Sequence, residues 1–227
     1  MSPGKRIGIV IPSSNVVIEP LVARLFCNSN DTVHFSRLGV VEIKLDAESL
    51  AQFEIGEQLS AAQKLCDAQV DAIVWGGTSS SWLGIERDEE YCRLIEKKTG
   101  VPTTTCVLEM NRKLASLGAR RIAMVTPYTD DIHNRILDNY EKLTFPRPTG
   151  QNLGGSVSNE FASIPPSTIE DIVLNVAKES PDVIMIMCTN LQGAAVAQNL
   201  SKRLGIPIID SAVATLQAGS RLISGVD

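Results

Sequence analysis

The sequence predicts an α/β protein built from two pseudo-symmetric, doubly wound parallel-sheet halves that face each other across a cleft. Three observations carry this. Short, almost wholly apolar runs alternate with helix-length amphipathic stretches, as expected of parallel strands covered on both faces. The two halves of the chain repeat each other in order. A length of 227 residues with 44% hydrophobic content is enough to bury such a core.

The strand candidates are Arg6–Ile11, Val33–Leu38, Ala72–Trp75, Thr103–Cys106, Arg121–Thr126, Val183–Met187 and Ile206–Ile209. Between the second and third, Leu50, Phe53, Leu59, Ala62, Leu65 and Val70 recur at helix-compatible spacing. Glu86–Lys98 also reads as a helix, with Gly100 a left-handed stop just past its end. Gly118 and Gly205 read as further terminators. Ser167-Thr168-Ile169-Glu170 has the pattern of a capping box. Phe145–Ser156, with two prolines and three glycines, is the most loop-like segment.

The repeat pairs Arg6-Ile7-Gly8-Ile9-Val10-Ile11-Pro12 with Arg121-Ile122-Ala123-Met124-Val125-Thr126-Pro127. It also pairs Asp71–Thr78 with Asp182–Thr189, and Gly100-Val101-Pro102 with Gly205-Ile206-Pro207. Three matched segments in one order point to an internal duplication of a flavodoxin-like unit. Residues 1–115 form the first half, completed by a last helix over about 211–227, and 116–210 form the second. Ligands of open parallel sheets bind where the carboxyl ends of strands open into loops. The duplication makes Gly77 and Cys188 counterparts across one cleft.

Composition narrows the function. Lys and Arg total 21 against 26 Asp and Glu, a net charge of −5 that disfavours nucleic acid or an anionic membrane as partner. No apolar run approaches the ~20 residues of a membrane-spanning helix. Met1-Ser2-Pro3-Gly4-Lys5-Arg6 leads into a strand rather than reading as a signal peptide, so a cytoplasmic protein is expected. Five cysteines with no C-x-x-C pair and two histidines argue against disulfides and a zinc site. No dinucleotide or nucleotide phosphate loop is present. No metal and no cofactor is expected.

Cys188 ends an apolar strand and is followed by Thr189 and Asn190. A thiol there can exchange protons once its pKa is tuned, and a helix starting near Leu191 would aim free amides at it. The same position equally suits a small buried hydrophobe. Cys27, Cys66 and Cys92 lie in helix-like stretches and Cys106 ends a strand, so these read as structural. No histidine is placed to pair with Cys188. The hydroxyls of Thr78, Ser79, Ser80 and Ser81 can hold a carboxylate or simply begin a helix. Tyr128 can donate to the same oxyanion or to backbone. Pro12-Ser13-Ser14-Asn15 offers two hydroxyls and an amide, or a helix cap formed by Asn15. Asp130-Asp131 reads as a helix start rather than a metal site.

Taken together, Pro12-Ser13-Ser14-Asn15, Cys188-Thr189-Asn190-Leu191 and Thr126-Pro127-Tyr128-Thr129-Asp130-Asp131 resemble the Asp/Glu racemase superfamily over nearly the whole chain. The likeness is greatest to the branch holding maleate cis-trans isomerase and arylmalonate decarboxylase. That resemblance implies a cofactor-independent enzyme acting on a small carboxylic or dicarboxylic acid, and it leaves room for a homo-oligomer. Family members usually carry a cysteine in each half, whereas here Gly77 stands in the first position and only Cys188 remains. This is the decarboxylase-like arrangement, in which Thr78, Ser79 and Tyr128 would hold a carboxylate and Cys188 would protonate an enediolate. Asn15 and Asn190 instead look like the isomerase pattern. The expectation is decarboxylation of a substituted malonate-type acid. The alternatives are isomerisation or racemisation with a non-thiol partner, and a carboxylate-binding protein without turnover. The expected binding set is Pro12, Ser13, Asn15, Gly77, Thr78, Ser79, Tyr128, Thr189 and Asn190.

Overall fold

The first half runs β1 (Arg6–Pro12), α1 (Ile18–Leu25), β2 (Thr32–Leu38), α2 (Ala47–Ala51), α3 (Ile55–Asp67), β3 (Ala72–Trp75), α4 (Ser80–Leu83), α5 (Glu86–Thr99), β4 (Thr103–Thr105) and α6 (Cys106–Leu117). The second runs β5 (Ile122–Tyr128), α7 (Asp130–Lys142), β6 (Thr149–Gly155), α8 (Ser158–Phe161), α9 (Pro166–Ala177), β7 (Val183–Ile186), α10 (Ala194–Leu204) and β8 (Ile208–Asp210), followed by α11 (Ser211–Ser224). This computed structural model describes residues 4–143 and 146–225. Phe145, the first residue of the stretch read as a loop, lies outside the described residues, as do Met1–Pro3, Thr144, Val226 and Asp227.

Two four-stranded parallel sheets result, ordered β2-β1-β3-β4 and β6-β5-β7-β8. The repeat read in the sequence recurs in the hydrogen bonds. Asp71 accepts from the Arg6 amide at 2.8 Å and Asp182 from the Arg121 amide at 2.8 Å. The Pro102 carbonyl accepts from Ile73 at 2.9 Å and the Pro207 carbonyl from Ile184 at 3.0 Å. At the other end of the central strands, Gly76 donates to Val10 at 2.8 Å and Met187 to Val125 at 2.9 Å. Each repeated residue thus does the same mechanical job in its own sheet.

Several boundaries differ from expectation, each for a local reason. The helical stretch from Leu50 to Val70 is two helices, broken over Gln52–Glu54. Cys106 opens α6 rather than ending a strand, because the Thr105 hydroxyl caps that helix by accepting from Leu108 at 3.1 Å. Cys27 lies beyond the end of α1 and is exposed. Ser167 is no N-cap: α9 begins at Pro166, whose fixed φ and missing N–H suit the first helical position. Glu170 instead pairs with Arg203 on α10 at 2.9 Å. Within the supposed loop, Thr149–Gly155 forms the edge strand β6. Its glycines lower strand propensity but are needed there. A Cβ at Gly150 would lie 2.5 Å from the Met124 carbonyl, and one at Gly155 would lie 2.8 Å from the Phe161 ring. Gly100, Gly118 and Gly205 do terminate helices with φ of 73°, 60° and 66°.

The sheets meet at their carboxyl ends, and two residues after Cys188 hold them there. Asn190 Oδ1 accepts from the Val16 amide at 3.0 Å, and its Nδ2 donates to the Ser14 carbonyl at 3.2 Å and the Ser158 carbonyl at 2.7 Å. The Thr189 hydroxyl donates to the Gly76 carbonyl at 2.9 Å and accepts from Asn15 Nδ2 at 3.2 Å. A short antiparallel bridge between Glu42 and Val157 adds two backbone bonds, from Ile43 to Ser156 at 2.9 Å and from Ser158 to Val41 at 3.0 Å. The chain then crosses back. α11 leaves β8 and packs on α6, β1, β3 and β4, with Arg221 and Arg112 both pairing with buried Glu109. No helix among the described residues is long and apolar enough to cross a membrane.

Replacing Asn190 with alanine leaves one N–H and two carbonyls at the junction without partners. An unmade buried hydrogen bond costs ~1–3 kcal/mol. The thermal unfolding midpoint of Asn190→Ala is therefore expected to fall by roughly 4–10 °C. A midpoint within about 2 °C of wild type would show that the junction does not depend on this side chain.

Candidate active site

The carboxyl ends of β1, β3, β5 and β7 converge on a small cavity. Pro12, Gly77, Thr78, Ser79, Tyr128, Cys188, Thr189 and Asn190 line it, together with Ser158 and the apolar side chains of Val40, Ile43, Phe53, Trp75, Trp82 and Phe161. Its volume is about 20 Å³, room for a single water. A larger recess of about 560 Å³ adjoins it, sharing Phe53 and Ser79 as a partition.

Of the residues expected from the sequence, Ser13 and Asn15 do not line the cavity. Ser13 Oγ accepts from the Val40 amide at 3.2 Å and so fixes the segment that follows β2. Asn15 is fully buried, and its Oδ1 accepts from the Val17 and Ile18 amides at 3.1 Å each, shaping the turn that leads into α1, whose N-cap is Val17 rather than Asn15. Thr189 and Asn190 reach the cavity wall but direct their polar atoms into the junction described above. The run of small hydroxyls divides in the same way. Ser80 donates to the buried Asp88 carboxyl at 2.7 Å and Ser81 to the Thr78 carbonyl at 2.7 Å. Burial pushes Asp88 up to about 6, against the Thr105 and Ser80 hydroxyls that favour its charged form. Thr78 and Ser79 remain on the cavity side.

There the polar groups form a chain. Tyr128, at the end of β5 rather than in the following loop, places its hydroxyl 2.9 Å from Thr78 Oγ1 and also against the Cys188 thiol. Ser79 Oγ accepts from Trp75 Nε1 at 3.3 Å, which leaves its own proton directed elsewhere. Cys188 is 5% exposed. Burial pushes its thiol up to about 11, opposed by the Tyr128 hydroxyl and the amides of Asn190 and Leu191. Those amides belong to a tight turn, since α10 begins only at Ala194. The thiol is therefore neutral at pH 7, a proton donor at rest rather than a ready nucleophile. Burial, and then the neighbouring Cys188, likewise holds the Tyr128 phenol protonated, well above its ordinary range.

The sequence did not single out Ser211 or the apolar lining. Ser211 Oγ accepts from the Cys188 amide at 3.1 Å, and its carbonyl accepts from the Cys106 thiol at 3.2 Å. One residue thus anchors the strand end that carries Cys188 and keeps Cys106 occupied behind it. Neither histidine lines the cavity. His133 lies behind β5 against Thr126 at 3.0 Å, and His34 sits on β2. Asp130 and Asp131 open α7, as a helix start requires.

The family model for arylmalonate decarboxylase matches residues 7–226. Arylmalonate decarboxylase of Bordetella bronchiseptica is 24% identical over 222 residues, which cover 96% of this chain and 90% of that protein. Maleate isomerase of Geobacillus stearothermophilus is 22% identical over 225 residues, covering 93% and 88%. Among solved structures, Nocardia farcinica maleate cis-trans isomerase with a covalently bound succinylcysteine intermediate superposes with a TM-score of 0.88 at 18% identity, covering 97% and 93%. The fold is common to both kinds of enzyme, and the match of the family model runs from the first strand to the end of the last helix. The chain belongs to the arylmalonate decarboxylase family.

Proposed function

We propose that this protein is a cofactor-independent decarboxylase of a substituted malonate-type acid, with Cys188 as the single proton donor. Family membership supports an enzyme of the decarboxylase or isomerase kind. The observation that favours decarboxylation is the asymmetry across the cleft: a buried, protonated thiol at Cys188 faces a glycine at 77. Addition of a thiolate to a double bond or proton exchange at both faces of a carbon needs a second reactive group. A decarboxylase needs one acid.

In this reading, Thr78, Ser79 and the Tyr128 phenol donate hydrogen bonds to one substrate carboxylate and to the enediolate it becomes. The second carboxylate lies toward Val40, Ile43, Phe53 and Phe161, where it has no hydrogen-bonding partner. Loss of that group as neutral carbon dioxide breaks the Cα–C bond and leaves its electron pair in the enediolate. The Cys188 S–H then transfers its proton to Cα, forming the C–H bond and leaving a thiolate. The amides of Asn190 and Leu191 and the Tyr128 hydroxyl stabilise that thiolate until water returns the proton.

Proton NMR in deuterated buffer with a panel of mono- and dicarboxylic acids tests the proposal directly. The expected result is loss of a malonate-type acid with one deuterium entering the new C–H bond, abolished in Cys188→Ala, since such donors contribute ~10²–10⁴-fold. Cis-trans change or α-exchange without loss of carbon dioxide would move the protein to the isomerase kind. Ligand-dependent thermal stabilisation without turnover would make it a carboxylate-binding protein.

Two further outcomes are expected. Tyr128→Phe and Thr78→Ala each lower kcat by ~10²-fold with the fold intact, as loss of an oxyanion donor does. Because Cys188 is held up to about 11, the donor stays protonated as pH rises, so kcat is flat from pH 7 to about 9.5. A fall centred near the free-thiol value of about 8.5 would show that the thiol is not held neutral.

A further inference from the structure

We infer that Trp75 closes the face of the site opposite Cys188 by filling the volume that a side chain at position 77 would need. This rests on the reading of Cys188 as sole acid, and it identifies what keeps the acid single. Gly77 lies two residues past the end of β3, and its Cβ direction runs into the Trp75 ring. A Cβ built at Gly77 would lie 2.4 Å from Trp75 Cζ2 and 2.6 Å from Cε2, with Cη2 at 3.1 Å. Ordinary contact begins near 3.4 Å. The obstructing atoms belong to the rigid fused ring rather than to the end of a flexible side chain.

The ring is packed on the side away from the cavity. Trp75 is 1% exposed. Its Nε1 is tied to Ser79 Oγ, and the ring sits beside Tyr91 with centroids 6.4 Å apart and the planes tilted by 50°. The counterparts in the second half show the complementary choice. Ile186 stands where Trp75 would, and Cys188 stands where Gly77 would. Each half thus carries a bulky residue followed two positions later by a small one, but the first half pairs the largest ring with no side chain at all, whereas the smaller Ile186 leaves room for a thiol. Trp75 is accordingly a positioning residue. It sets the side of the intermediate from which a proton can come, and its N–H occupies one acceptor site of the Ser79 hydroxyl. A second thiol at 77 needs two substitutions, not one.

The test is a cycle of four proteins: wild type, Gly77→Cys, Trp75→Leu and the double variant. Overpacking by Gly77→Cys alone is expected to lower the unfolding midpoint by roughly 3–10 °C. The same substitution made on Trp75→Leu is expected to cost less than about 2 °C, a non-additivity that contacting residues show. On the product acid in deuterated buffer, the double variant should raise the rate of α-hydrogen exchange by ~10²-fold over wild type. It should also erode the enantiomeric excess of the product, while neither single variant does so. If Trp75→Leu fails to fold, Trp75→Phe keeps an aromatic ring against Tyr91 and serves in its place. Equal midpoint losses in both backgrounds would overturn the inference, as would Gly77→Cys alone folding at the wild-type midpoint and exchanging the α-hydrogen. If wild type decarboxylates nothing, the proposed activity fails on its own, and the midpoint cycle still decides the place of Trp75.

Discussion

Asn190 commits its side chain to the junction, with two hydrogen bonds to the Ser14–Val16 backbone of the first half and one to Ser158 of its own half, and the chemistry of the site depends on that commitment. Neither sheet alone forms a pocket. The strand ends enclose a volume only when the sheets are brought end to end, and besides the Glu42–Val157 bridge the bonds that do this involve the two residues directly after Cys188. The thiol and the junction therefore share one turn of backbone. Any movement that opens the halves moves the amides of Asn190 and Leu191, which bear on the thiol. Geometry and acidity are coupled through a single short segment.

Burial dominates the electrostatics of what is enclosed. Three groups with ordinary titration ranges, Cys188, Tyr128 and Asp88, are all pushed toward their neutral forms, and in each case loss of solvent is the largest cause. Hydrogen bonds oppose that push at Cys188 without overcoming it. The resulting site is rich in donors and contains no anion of its own at neutral pH among its lining residues. A carboxylate entering it would be the only full negative charge, surrounded by hydroxyls and flanked by aromatic rings. Tyr128 meets Trp82 at 5.1 Å and Phe161 at 5.6 Å between ring centroids. This contrast between donor side and apolar side supports a reaction that keeps one carboxylate and releases another.

Much of the architecture was legible because it rests on short-range rules. Apolar runs became strands, and left-handed glycines ended helices. The duplication proved more than a likeness of sequence, since Asp71 and Asp182, or Pro102 and Pro207, accept equivalent hydrogen bonds. β6 was missed because its glycines answer to the backbone of β5 and the Phe161 ring, contacts that no local pattern records. The site was legible in its thiol, its phenol and two of its hydroxyls. Ser13, Asn15 and Asn190 looked like ligand groups for a sound reason, being polar residues at strand ends, but tertiary contacts turned their polar atoms inward. Trp75 escaped notice because a tryptophan in an apolar strand reads as core. Only the position of Gly77 two residues on, seen in three dimensions, gives it another meaning.

The path of α11 joins two distant parts of the protein. Ile7, Ile9, Ile11 and Val74 on one face of the first sheet are covered by α1 and by Ala212, Leu216 and Ala218 of that last helix. β1 and β3 thus precede by more than 130 residues the helix that covers their aliphatic face. Ser211, which anchors the Cys188 amide, arrives with the same helix. The cover of the first sheet and the anchor of the Cys188 amide are thus carried by one helix, and a chain lacking that helix would lose both contacts.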